Sequence, residues 1–109
     1  MAYAYKVLAQ SAPSATTNTD IYTVGSGKQA IISTITVANR GTSASSYRIA
    51  VRPAGATLAN QHYLAYDVAI AANDTTVLTI GVTLTATDVI TVYALSANLS
   101  FGIYGTEIT

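Results

Sequence analysis

His62 is the only imidazole in the chain. A histidine can act as a general base or a metal ligand, but either role needs company. There is no cysteine, so a thiolate metal site and a disulfide framework are both excluded. The carboxylates are few and scattered, at Asp20, Asp67, Asp74, Asp88 and Glu107. An active site needs at least a nucleophile, a base and a group that orients the base. His62, beside Tyr63 in a strand-forming run, therefore reads as a half-buried structural side chain, and neither catalysis nor a metal is expected. Serines are plentiful, but none sits in a Gly-x-Ser-x-Gly elbow. Gly25-Ser26-Gly27-Lys28 ends like a phosphate-binding loop, yet such a loop needs an earlier glycine at fixed spacing and a helix after it. In place of a helix, Lys28 opens the strongest strand signal in the chain. Asn98-Leu99-Ser100 matches a glycosylation sequon that is idle without a secretion signal. No cofactor is expected.

The residues with binding rather than reaction chemistry are the eight tyrosines and two of the three arginines, Arg48 and Arg52. Tyrosine offers a large apolar face and one hydroxyl, which is why interfaces favour it. Strand alternation places Tyr63, Tyr93 and Tyr104 on outward faces, and puts Tyr3, Tyr5 and Val7 together near the start. The plainer reading is ordinary sheet-surface aromatics, which β-propensity alone explains. Arg48 and Arg52 share one strand face. They could pair with a carboxylate on a neighbouring subunit or keep an edge strand soluble. These eight residues are the interface candidates.

Composition points the same way. Charged residues make up 9% of the 109 residues and the formal net charge is zero, against the usual quarter charged. Nucleic acid and acidic membrane surfaces are therefore not expected partners. Ala, Thr and Ser take the place of charge, and a near-neutral, charge-poor surface favours self-association. No apolar run approaches the roughly 20 residues that span a bilayer. Met1-Ala2-Tyr3 lacks a basic and an apolar signal region, so assembly in a cytoplasm is expected.

The elements that position these residues are strands. Lys28–Arg40 is the longest β-forming run, with Ile31, Ile32, Thr34, Ile35, Thr36 and Val37 all β-branched. Alternation makes Ile31, Ser33, Ile35 and Val37 the expected core face, opposite Ala30, Ile32, Thr34 and Thr36. A strand this long must be central. Around it fall Tyr3–Ala9, Ile21–Val24, Tyr47–Arg52, Gln61–Ile70, Thr75–Ile80, with Val82–Leu84 bent away at Gly81, then Val89–Leu95 and Leu99–Tyr104. Ser96-Ala97-Asn98 reads as a hairpin turn. Gln10–Asp20, with Pro13 and many small polar residues, reads as a loop that crosses between sheets. About eight strands with turns at this spacing predict an all-β antiparallel sandwich, immunoglobulin-like or jelly-roll. The expected core is Ile31, Ile35, Val37, Ile49, Val51, Ile90, Val92, Leu99, Phe101 and Ile103. Residues 1–109 form one domain, in which residues 1–20 could act as an N-terminal arm that lies on another copy or pairs at home.

Three stretches are similar to one family throughout: MAYAYKVLAQSAPSATTNTDIYTV at the start, ISTITVANRGTSASSYRIAVRPAGATLANQHYLAYDV in the middle and VITVYALSANLSFGIYGTEIT at the end. They resemble small virion structural proteins of tailed phages, notably those of marine cyanobacteria. Gly25 comes after Ile21–Val24 where that group has proline, which loosens the turn. The resemblance implies a non-enzymatic virion protein, assembled in a host cytoplasm, whose partners are other copies of itself and virion proteins such as the major capsid protein. It implies a capsid decoration or cement protein on the particle exterior. The alternatives are a neck, tail or tail-fibre component, or a carbohydrate- or receptor-binding module that stacks tyrosines on sugar rings.

Overall fold

The structure, a computed structural model, describes residues 2–109. Met1, which opens the expected arm, lies outside the described residues. The strands are β1 (Tyr3–Ser11), β2 (Thr19–Thr23), β3 (Gln29–Asn39), β4 (Ser45–Arg52), β5 (Tyr63–Ile70), β6 (Thr75–Leu78), β7 (Val82–Thr85), β8 (Val89–Ala94) and β9 (Leu99–Ile108). They form two antiparallel sheets. Sheet I has the order β1-β9-β3-β6, with β7 also on β3; sheet II has the order β2-β8-β4-β5. Among the described residues, no helix is long and apolar enough to cross a membrane.

Strands β6 and β7 lie on the same side of β3, against Ile35–Ala38 and Gln29–Ile32 respectively. They are two halves of one interrupted edge strand. Counted so, eight strands alternate between the sheets at every connection except the β4–β5 hairpin. Two four-stranded sheets in this order make a jelly roll, so the immunoglobulin-like alternative is set aside. The expected Gln10–Asp20 loop does cross between sheets, but it is shorter, since Gln10 and Ser11 belong to β1 and Thr19 and Asp20 to β2. Ser96-Ala97-Asn98 does not make a hairpin: β8 and β9 belong to opposite sheets, so this turn is also a crossing.

The apolar core between the sheets includes Ile32, Ile35, Val37, Tyr47, Ile49, Ile90, Val92, Leu99, Phe101 and Ile103. Tyr47 and Phe101 meet edge to face with centroids 6.4 Å apart, a favoured aromatic arrangement. Two expected core residues differ. Val51 is only partly buried against the cluster. Ile31 is 43% exposed, while Ile32 is completely buried. The cause is a bulge. Ile32 pairs with Gly105 and Thr34 with Tyr104, so Ser33 is one extra residue in β3. An extra residue exchanges the two faces of a strand beyond it. Ala30 and Ile32 therefore point inward on one side of the bulge, and Ile35 and Val37 on the other. Gly105 permits this, because a Cβ there would run into the Ile31 carbonyl. The Ser33 hydroxyl closes the bulge by donating to the Tyr104 carbonyl at 3.1 Å.

At the far end of β3, Asn39 is a buried polar group. Its side-chain amide donates to the carbonyls of Ser43 at 2.9 Å and Ala71 at 3.2 Å, and its Oδ1 accepts from the Gly41 amide at 2.9 Å. One side chain thus ties the turn after β3 to the end of β5, and its polar capacity is met, as burial demands.

Candidate functional site

The outer face of sheet II carries a cluster built on Arg48. Tyr47 pairs with Val68 and Ile49 with Ala65, so Arg48 alone opposes two residues of β5, Tyr66 and Asp67. Asp67 has φ +51°, a left-handed conformation that aspartate tolerates better than most residues. This second bulge turns Tyr66 outward, where it is 56% exposed. On its other side Arg48 pairs with Tyr93 of β8. The guanidinium lies over both rings, 4.3 Å from each centroid. Its Nε and Nη2 donate to the two Asp67 oxygens at 2.6 and 3.3 Å. Tyr63 meets Tyr66 edge to face, with centroids 4.8 Å apart. Asn60, Tyr63 and Tyr66 line an open cavity of about 380 Å³.

Arg52, further along β4, is a structural clamp. It donates to Thr91 Oγ1 at 3.0 Å, to Asp20 at 2.8 Å and to the carbonyls of Gly55 and Ala56 at 3.1 and 2.9 Å. These bonds hold the 3₁₀ turn Pro53–Gly55 and β2 against β4 and β8. Both arginines therefore pair with carboxylates of their own chain, contrary to the expected pairing across subunits. Nor does either protect an edge, since β4 lies between β8 and β5.

The outer face of sheet I has a different chemistry. Tyr3, Tyr5 and Val7 of β1 stand opposite Ile108, Thr106 and Tyr104 of β9. Ile31, Thr34 and Thr36 of β3 continue this surface, and Val77 of β6 ends it beside Thr36. Tyr3, Tyr5, Val7, Ile31 and Val77 are all exposed, Tyr5 by 83%. Only Lys6 and Glu107 among the charged residues lie on strands of this sheet. Both belong to the inward alternation, with Lys6 opposite Gly105 and Glu107 opposite the buried Ala30. The outward strand positions are thus uncharged; the charge at the end of this face is Arg40, just past β3, whose Nε donates to Ser100 Oγ at 2.7 Å. A shallow groove of about 490 Å³ crosses the face, lined by Gln10, Thr36, Ala38, Ser100, Gly102 and Tyr104 among others. Gly102 sets its depth: a Cβ there would lie 2.7 Å from Thr36 Oγ1 and would displace the Tyr104 hydroxyl.

Strand β1 pairs along its length with β9 of its own chain. The Ala2 and Thr109 amides and carbonyls close this pairing reciprocally at 3.0 and 2.9 Å. Of the two placements expected for the arm, this is pairing at home. Tyr3, Tyr5 and Val7 keep their outward positions.

Where the sheets meet near the chain ends, Glu107 gathers three partners. Tyr22 Oη donates to it at 2.9 Å, and Lys6 and Lys28 stand 3.1 and 3.5 Å away. Lys6 and then Tyr22 hold the Glu107 carboxyl below its ordinary range. Burial first, and Glu107 second, push the Tyr22 hydroxyl up to about 12. This is a latch between β2 of sheet II and β1 and β9 of sheet I.

No family model, characterised protein or solved structure matches the chain.

His62 lies in the 3₁₀ turn Asn60–His62, just before β5 rather than on it. Its Nδ1 accepts the Ala59 amide at 3.0 Å, which is a structural task. Among the described residues, no group of three or more His, Asp or Glu is placed to hold a metal. Of the expected interface residues, Arg48, Tyr63 and Tyr93 come together on sheet II, and Tyr3, Tyr5, Val7 and Tyr104 on sheet I. Arg52 belongs to neither binding surface. Residue-level reading missed Tyr66, Asn60, Ile31 and Val77. The bulges that expose Tyr66 and Ile31 have faint local signals: an aspartate inside a strand, and two adjacent isoleucines.

Proposed function

We propose that the protein is a non-enzymatic structural component of a phage particle, a decoration or cement protein seated on the capsid shell through the outer face of sheet I. The observation that carries this reading is the row of uncharged outward strand positions, with Tyr3, Tyr5, Val7, Ile31 and Val77 exposed together. Burying ionised groups at an interface carries a desolvation cost of several kcal/mol per ion before pairing offsets it; a face without charge avoids that cost. The complementary partner is an equally uncharged surface of a shell protein. The size is adequate as well. The Cα trace extends 45 × 28 × 20 Å, and sheets stack along the short direction. Each outer face then offers on the order of 1,000 Å², more than the roughly 800 Å² each partner gives to a standard interface. The family resemblance of the sequence supports the virion setting. Many weakly held copies, each engaging the shell at more than one point, would be strongly retained.

The test is a pair of charge insertions, Tyr5→Lys and Ile31→Lys, combined in one chain. The variant should fold as the parent does by circular dichroism, yet disappear from purified particles. Particle imaging and band intensity should show the parent in hundreds of copies on the shell. Normal incorporation of the variant sinks the seating surface. A handful of copies at one vertex moves the protein to the neck, tail or fibres.

A further inference from the structure

We propose that the corner formed by Asn60, Tyr63 and Tyr66 on sheet II is a binding site for a neutral saccharide. The corner is independent of the seating surface, because it lies on the opposite face of the sandwich. The two tyrosine rings stand nearly perpendicular, at 84°, with centroids 4.8 Å apart. Together with Asn60 they line an open cavity of about 380 Å³, inside the range of roughly 300–1,000 Å³ typical of small-molecule sites. An L-shaped aromatic corner meets a ring-shaped ligand on one face and one edge. The Asn60 amide supplies a donor and an acceptor at its rim, the complement of a ring that carries hydroxyls.

Charge selects among ligands. An aromatic cluster commonly attracts a cation, but here Arg48 already lies 4.3 Å from the Tyr66 and Tyr93 centroids. An anion would look for a free guanidinium, but Arg48 is engaged by both oxygens of Asp67. The cluster is internally neutral, so a neutral ligand that stacks and hydrogen-bonds is the one it fits. The corner is also held in shape. The bulge at Asp67 fixes where Tyr66 points, and the His62–Ala59 bond fixes the turn that carries Asn60. A site that needs no ordering on binding retains more of its contact energy.

The test titrates the isotope-labelled full-length chain with maltohexaose, cellohexaose, chitohexaose and mannohexaose in turn, followed by two-dimensional NMR and tyrosine fluorescence. At about 10 mM sugar, a site of about 1 mM affinity is nine-tenths occupied. At least one hexasaccharide should shift the signals of Asn60, Tyr63 and Tyr66. Tyr66→Ala and Asn60→Ala should each weaken it by about tenfold, and Ile31→Lys should leave it unchanged. Three results would overturn the proposal: no shift with any of the four sugars, shifts that survive Tyr66→Ala, or decaproline shifting the same signals and displacing the sugar, which would make the corner a proline-peptide groove.

Discussion

The outer faces of the two sheets are built from the same small alphabet and are finished differently. On sheet II each charge has a partner on its own chain: Arg48 with Asp67, Arg52 with Asp20. The rings of Tyr66 and Tyr93 are covered in part by a guanidinium. On sheet I the outward strand positions carry Tyr, Val, Ile and Thr together with Gln, Ala and Ser, none of them ionised. The first surface is settled within one molecule. The second stays exposed at little cost to folding, and only a partner would remove its apolar atoms from water. A chain this poor in charge thus has its charges concentrated where they hold the fold, and leaves the outward strand positions of one face without any, Arg40 just past β3 being tied to Ser100 and the Ala97 carbonyl at its end.

The sharpest way to separate inside from outside on sheet I is the adjacent pair Ile31 and Ile32. Ile32→Ala should cost about 2–5 kcal/mol, from lost burial and the cavity left behind. Ile31→Ala should stay within about 0.5 kcal/mol of the parent. Urea denaturation of both variants measures this, and equal costs would rule out the bulge at Ser33.

A smaller difference should separate the sheets themselves. Asp67→Ala on sheet II leaves a residue that dislikes positive φ, whereas Asp67→Asn keeps one that tolerates it. The alanine variant should therefore be the less stable by about 1 kcal/mol. Val77→Ala, at an exposed position of sheet I, should change stability by no more than about 0.5 kcal/mol. Thermal melts in which Asp67→Ala is as innocuous as Val77→Ala would erase the contrast.

The smallest effect is the pH dependence of the latch that joins the sheets. The Glu107 pKa is lowered in the folded chain, so its contribution is present above the ordinary carboxylate range and is lost as pH falls through the folded value. The Tyr22 pKa is raised to about 12. The unfolded chain therefore releases that proton first, and stability should decline as pH rises from the ordinary tyrosine value, near 10, toward 12. Glu107→Gln should flatten the acid limb at a cost of about 1 kcal/mol or less, since its lysine partners are well exposed. Tyr22→Phe should flatten the alkaline limb. Midpoints measured across pH that keep both limbs in the double variant would refute the latch.

Strand positions were legible because β-branched runs, prolines and small polar turns mark them directly. Ile49, Ile90, Val92, Leu99, Phe101 and Ile103 follow from alternation alone, since nothing interrupts the period between them within a strand. Ile31 did not follow, because the period is reset by Ser33, and the reset depends on Gly105, more than seventy positions away in sequence. The choice between jelly roll and immunoglobulin-like order was illegible for the same reason: it is a pattern of partners, and local residue types do not encode partners. Tyr63 and Tyr93 were marked as binding residues by type. Plain alternation puts Tyr66 on the other face from Tyr63, because it passes over the extra residue between them: Ile49 pairs with Ala65 and Ala50 with Tyr63, which leaves Leu64 over.

The interrupted edge of sheet I sets a limit on growth. At one border the chain presents β1, nine residues long with one irregularity at Leu8. At the other it presents two four-residue pieces, β6 and β7, separated by Thr79-Ile80-Gly81. Head-to-tail addition would have to join these unlike borders copy after copy, and the broken one offers no continuous ladder to receive a strand. Addition through β1 alone brings two like borders together, and a two-fold contact of that kind is complete at two chains. Strand addition along sheet I should therefore stop at discrete small species rather than run on into filaments.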